Sequence, residues 1–205
     1  MSRISTLIAA FAVIVAGAAS AEDEAETIDT STIIEMTLGD ENAPVEVIEY
    51  ASYTCPHCAT FHNGPYKQLK ADYIDTGKVK FIYREVYFDR YGLWASIIAR
   101  CAGPERFFGI NDLLFSQQSE WVRAGGTPEI VGALRKIGLL AGLDPDTLET
   151  CLQDATKAKT LVTWYQENAE RDGVTGTPSF IINGKKVANQ AYADFAAIID
   201  AELGS

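Results

Sequence analysis

The sequence predicts an α/β fold that carries an all-helical insertion, and three observations lead to it. Strand, helix and strand patterns succeed one another over residues 45–83. A block spanning 91–172 then shows helical periodicity with few β-branched runs. Finally, two short strands around Asn183-Gly184 run into a closing amphipathic segment.

Taken in order, residues 33–36, with Ile33, Ile34 and Met36, read as a short strand, and Asn42-Ala43-Pro44 as a turn. Val45-Glu46-Val47-Ile48-Glu49-Tyr50 is a β-rich strand with apolar residues on both faces. Next comes Cys55-Pro56-His57-Cys58, followed by Phe61, Tyr66, Leu69 and Tyr73 at helical intervals. Pro56 suits the first helical position, where its fixed φ fits and its missing N–H is not needed. Gly77 ends that helix and residues 79–83 form another strand, which completes a βαβ unit with parallel strands and a right-handed crossover. In the block that follows, Leu93, Trp94, Ile97, Ile98 and Cys101 form one apolar face and Ile130, Leu134 and Ile137 another; Leu148, Cys151 and Leu152 form a third, and Leu161, Trp164 and Tyr165 a fourth. This is far longer than the roughly dozen residues a crossover needs. Residues 179–182 and 186–187 flank Asn183-Gly184, a strong hairpin signal, and Tyr192, Phe195, Ile198, Ile199 and Leu203 mark the last helix. The order βαβ, helical block, ββα is that of a thioredoxin fold with a helical domain inserted. Its expected parts are 33–90, 91–172 and 173–205.

The chain has 205 residues, 47% of them hydrophobic, which excludes a disordered chain. With 17 Lys+Arg against 28 Asp+Glu the net charge is −11, and the absence of a basic cluster argues against nucleic acid as partner. At the N-terminus, Arg3 precedes an apolar or small stretch over 4–18, and Ala19-Ser20-Ala21 has the form of a cleavage site. Residues 1–21 therefore read as a signal peptide cut after Ala21, since the apolar core over 7–15 is shorter than the ~20 residues of a bilayer-spanning helix. Cleavage removes Arg3 and takes the net charge from −11 to −12. Residues 22–32 are acidic and polar, and are expected to form a mobile lead-in. The mature protein is thus expected in an oxidising exported compartment, the periplasm, where cysteine pairs persist as disulfides.

Chemistry concentrates at Cys55-Pro56-His57-Cys58. A sulfur at a helix N-terminus faces unpaired N–H groups and the positive end of the helix dipole, which favour thiolate over thiol. Cys55 is therefore the nucleophile candidate. Cys58, one turn deeper, can close a disulfide with it or attack a mixed disulfide held on it. His57 adds N–H donors and potential positive charge beside the thiolate, which stabilises the reduced form and makes the disulfide a better oxidant. A zinc site would need four ligands in paired spacing, whereas the other cysteines are Cys101 and Cys151 and the only other histidine is His62. No metal and no cofactor are expected. A purely structural Cys55–Cys58 bond would close too small a loop to stabilise much.

Cys101 and Cys151 fall on apolar faces, where free cysteine also packs well; in an exported protein a structural disulfide between them is the favoured expectation. Thr177-Pro178 precedes the strand 179–182, and on general frequency its peptide bond would be trans. Glu49 is an ionisable group in an apolar run. It either faces solvent or lies beneath the cysteines, where it would be suited to moving protons during thiol exchange.

Glu49 six residues before Cys55, the Cys55-Pro56-His57-Cys58 sequence, the helical block, and Thr177-Pro178 ahead of the last hairpin together resemble the DsbA-like thiol:disulfide oxidoreductases of bacterial envelopes. The resemblance spans about 33–203. It implies a cis Pro178 that, with Thr177, holds a substrate peptide opposite Cys55 as an added strand. It implies that Glu49 is a buried acid on a proton path. It also implies oxidation of newly exported polypeptides bearing free thiols, and reoxidation by a DsbB-type membrane partner. Thr177 stands where the best-known oxidases carry valine, and threonine is found there in reductase and isomerase relatives too, so a reductase or isomerase is one alternative. Isomerases usually gain a dimerisation module, for which 22–32 offers no length, and a monomer is expected. A peptide-binding chaperone with incidental cysteines is the other alternative.

Overall fold

The computed structural model describes residues 27–204; the segment read as a signal peptide, 1–21, and the first residues of the lead-in, 22–26, lie outside them. Five strands form one sheet: β1 (Met36–Leu38), β2 (Val45–Ala51), β3 (Val79–Glu85), β4 (Ser179–Ile182) and β5 (Lys185–Ala188), in the order β1-β3-β2-β4-β5. β2 and β3 run parallel, as the βαβ reading requires, and every other pairing is antiparallel. The chain turns between β4 and β5 through Asn183 (φ 45°) and Gly184 (φ 78°), the two positive φ values that a two-residue hairpin of matching twist demands.

β2 is central, and its alternation decides what each sheet face holds. Val45, Val47 and Ala51 point into the main core. Ile48 and Tyr50 point the other way, to Ile82, Val86 and Ile181 under Tyr165 and Val174. On the main-core side lie α1 (Pro56–Asn63), α2 (Pro65–Leu69) and α9 (Tyr192–Leu203), with Phe61, Tyr66, Phe180, Phe195 and Ile199 packed between them.

The inserted block comprises α3 (Arg90–Cys101), α4 (Pro104–Ser116), α5 (Gln118–Trp121), α6 (Thr127–Leu140), α7 (Pro145–Gln153) and α8 (Ala155–Arg171). Asp89, Asp144 and Asp154 cap α3, α7 and α8 by accepting from backbone N–H groups in the first turn. Ile98, Phe107, Leu114, Trp121, Leu134 and Leu148 from this block join the same cluster as Val47 and Phe81 of the sheet, so the two parts share one core. A buried ion pair adds direction to that packing: Arg100 of α3 donates to both carboxylate oxygens of Glu85 on β3, each at 2.7 Å.

Three local features depart from the sequence reading. The first strand is Met36–Leu38 rather than 33–36. Ile33 is drawn instead into a cluster with Ile97, Leu161 and Trp164, and the Ile34 carbonyl accepts from Arg100, so this backbone is not free to pair. Upstream of it, Thr30 donates to Glu167 of α8 at 2.7 Å, so the chain is tied down within the segment expected to be a mobile lead-in. The helix expected from Pro56 to Gly77 is interrupted at Gly64 (φ −131°, ψ −92°), because Pro65 has no N–H to continue the ladder, and it ends in a π turn, Lys70–Ile74.

Candidate active site

The loop after β2 delivers Cys55 to the first position before α1, with Pro56 as the first helical residue. Cys55 and Cys58 are both free thiols, 9% and 0% exposed. Gln118 of α5 fixes the approach: its side-chain amide donates to the carbonyls of Tyr53 and Cys55, both at 2.8 Å. Beside Pro56 runs a groove of about 560 Å³ between α1 and the inserted helices, with Thr54, Thr60, Ser116 and Arg123 among its walls.

The surroundings drive the two thiols apart. Cys55 is lowered to about 5, chiefly because the Cys58 thiol donates to it, with the Thr177 side chain and the N–H groups of Cys58 and His57 acting in the same direction against the cost of burial. Cys58 moves strongly upward; burial is the largest cause, followed by its bond to Cys55 and the negative charge of Glu49. The pair is thus built to hold a thiolate at Cys55 and a protonated thiol at Cys58. The His57 side chain is exposed, and its backbone N–H is among the groups that lower the Cys55 sulfur.

Thr177 and Pro178 close the other side of the site. Their peptide bond is cis, so the general expectation of trans is corrected. The turn brings the Thr177 carbonyl to 3.5 Å from Cys55 Sγ, which donates to it as a thiol. The Thr177 hydroxyl is buried with no hydrogen-bond partner among the described residues, and its side chain favours negative charge on both sulfurs.

Glu49 is fully buried on the Val47 and Ala51 side of β2, paired in register with Tyr83 and Phe180, and its negative charge acts on Cys58. Its Oε2 meets His62 Nε2 at 2.9 Å. Cys101 and Cys151 lie elsewhere, joined by a disulfide that ties the end of α3 to α7 with 6.0 Å between their Cα atoms. Neither is therefore available as a second ligand pair, and among the described residues no group of three or more His, Cys, Asp or Glu is placed to hold a metal ion.

The sequence reading missed two residues. His62 has a visible signal, since it stands four residues after Cys58 and so on the same helix face. Gln118 has none; only the folding of α5 over the loop brings it to residues more than 60 positions away.

The family model described as Thioredoxin matches residues 31–201. A putative protein-disulfide oxidoreductase of Rickettsia bellii is 35% identical over 167 residues, covering 81% of this chain and 63% of that protein, so the chain spans less than two thirds of this relative's length. Disulfide bond formation protein D of Bacillus subtilis is 29% identical over 171 residues, covering 81% of this chain and 76% of that protein. Among solved structures, Wolbachia pipientis alpha-DsbA1 superposes with a TM-score of 0.76 at 30% identity, covering 83% of this chain and 91% of that one.

Proposed function

The chain belongs to the thioredoxin family, and from that premise we propose that it is a DsbA-type thiol:disulfide oxidoreductase that donates a Cys55–Cys58 disulfide to exported polypeptides in the periplasm. The observation that carries this reading is the pair of free thiols at the start of α1, with the carbonyl before cis-Pro178 3.5 Å from Cys55 Sγ, in surroundings that lower Cys55 to about 5 and move Cys58 upward. A disulfide whose reduced product is so stabilised gives up its oxidising equivalents readily.

The exchange starts from oxidised Cys55–Cys58. A substrate thiolate attacks Cys55 Sγ, the sulfur–sulfur electron pair leaves on Cys58, and Cys58 takes up a proton. A second substrate thiolate then attacks the substrate sulfur of the mixed disulfide, and Cys55 departs as its stabilised thiolate. The substrate loses two electrons and two protons; one proton ends on Cys58 and one in solvent. The substrate strand lies along Thr177-Pro178, whose backbone faces Cys55. A DsbB-type membrane protein restores the disulfide, and the protein works as a monomer. Export is supported by the apolar N-terminal stretch over 4–18 and by the Cys101–Cys151 bond, a feature of oxidising compartments.

The test is turnover of a dithiol peptide in a glutathione buffer. The parent chain oxidises it and Cys55→Ala does not; retained oxidation in Cys55→Ala would refute the assignment. A reductase or isomerase reading rests on Thr177, since threonine stands before the proline in reductase and isomerase relatives too.

A further inference from the structure

His62 and Glu49 form a buried pair whose two ends lead to different places. Glu49 is 0% and His62 2% exposed, and the contact between them is 2.9 Å. The imidazole is clamped, stacked on Phe115 with ring centroids 4.1 Å apart and planes 15° apart, with Tyr66 at 4.5 Å and the edge of Tyr83 at 5.7 Å. Two atoms of the pair have no partner among the described residues: Glu49 Oε1 and His62 Nδ1. On one side, the charge of Glu49 is felt by Cys58. On the other, His62 lines a cavity of about 230 Å³ between α1, α2 and α4, whose rim carries the exposed Asn63, Lys67, Asp112 and Ser116. The groups facing the imidazole are thus Glu49 from β2, Tyr83 from β3, Tyr66 and Lys67 from α2, and Asp112 from α4.

We propose that His62 carries the proton that Cys58 gains and loses, passing it between Glu49 and the cavity at Asp112. The inference rests on disulfide exchange at Cys55–Cys58. When that bond breaks, its electron pair stays on the Cys58 sulfur. The Glu49–His62 pair, neutral with one proton on the Glu49 carboxyl and one on His62 Nε2, gives the Glu49 proton to the sulfur and is left with one negative charge. Nδ1 then takes one proton from the cavity, the Nε2 proton replaces the one Glu49 gave, and the pair returns to its starting charge. The same steps reverse when Cys58 must lose its proton to re-form the disulfide. A route of this kind brings a proton to Cys58, which is fully buried.

The test follows dithiol-peptide oxidation by the oxidised full chain between pH 5 and pH 9, comparing the parent with His62→Phe, which keeps an aromatic ring in the stack, and His62→Ala, which opens space. Loss of a positioned proton carrier slows such a step about 10²-fold. His62→Phe should show that loss at pH 8 and a smaller one at pH 5, with the Cys55 thiolate absorbance still titrating at about 5. Added imidazole should restore His62→Ala in proportion to its concentration, which a purely structural role for His62 would not produce. Parent-like rates for His62→Phe at every pH, or a slow His62→Ala that imidazole leaves slow, would overturn the proposal. A parent chain that oxidises no peptide would overturn the oxidoreductase reading itself, and the proton route with it.

Discussion

At the start of α1 two cysteines three residues apart are free thiols, whereas between α3 and α7 two cysteines 50 residues apart are bonded. The residue type is the same, so the difference lies in what surrounds it. Cys55 and Cys58 meet N–H donors, a Thr177 side chain and a buried acid, all of which act on the charge of a sulfur. Cys101 and Cys151 lie among Ile97, Leu161, Arg100, Asp154 and Lys157, and the bond between them leaves neither sulfur a thiol to titrate. One environment distinguishes thiol from thiolate and makes the bond reversible; the other holds a closed loop. Reactivity here belongs to position in the fold, not to cysteine.

The comparison breaks most sharply at Cys55. Cys55→Ala should remove all dithiol oxidation, while Cys101→Ala/Cys151→Ala should retain it, both read by peptide turnover. Loss of activity in the double variant at a temperature where it remains folded would join the two pairs into one relay and end the contrast.

Stability should show the opposite ranking. Opening a loop of 50 residues should cost up to ~4 kcal/mol in denaturant unfolding, with the Cys55 titration unmoved. Gln118→Ala comes next: it leaves two buried carbonyls, of Tyr53 and Cys55, without their donor and should cost about 2 kcal/mol. Because those carbonyls hold the loop that aims Cys55, this variant should also slow peptide oxidation, which a change of equal stability in α6 would not do.

The smallest effect concerns pH. The folded reduced state has Cys55 lowered from 9.0 to about 5, so its thiolate stabilises that state above pH 9, and the advantage declines and is gone as pH falls through 5. Between about 5 and 9 reduction takes up one proton per two electrons, and below 5 it takes up two. The potential should therefore fall by about 30 mV per pH unit above the break and about 59 mV per unit below it. A single slope from pH 3 to pH 8 would show that Cys55 is not ionised early.

Much of this was legible because it is periodic. The alternation of 45–50 fixes β2 and places Glu49 on the same side as Val47, and Asn183-Gly184 fixes the last hairpin. The Cys55-Pro56-His57-Cys58 sequence gives the helix start directly. What periodicity does not encode is the meeting of distant residues. Ile33 leaves the sheet for a pocket under α8, Arg100 finds Glu85 across the interface of insertion and sheet, and Gln118 reaches the loop before α1. The break at Gly64-Pro65 was signalled locally, by a residue that cannot donate, but the regular spacing of Phe61, Tyr66 and Leu69 spans it because α2 resumes on the same buried face. For Glu49, a strand apolar on both faces left solvent and core both open; the partner, His62, came from the helix packed above it.

The most direct test of the contrast between the two pairs is the equilibrium redox potential of Cys55–Cys58 against glutathione, with the Cys101–Cys151 bond intact. A thiolate held at about 5 beside a strongly protonated partner predicts a value well above the thioredoxin range of about −270 mV, the behaviour of a dithiol oxidase. A value in that range would contradict the account, and the protein would be a reductase.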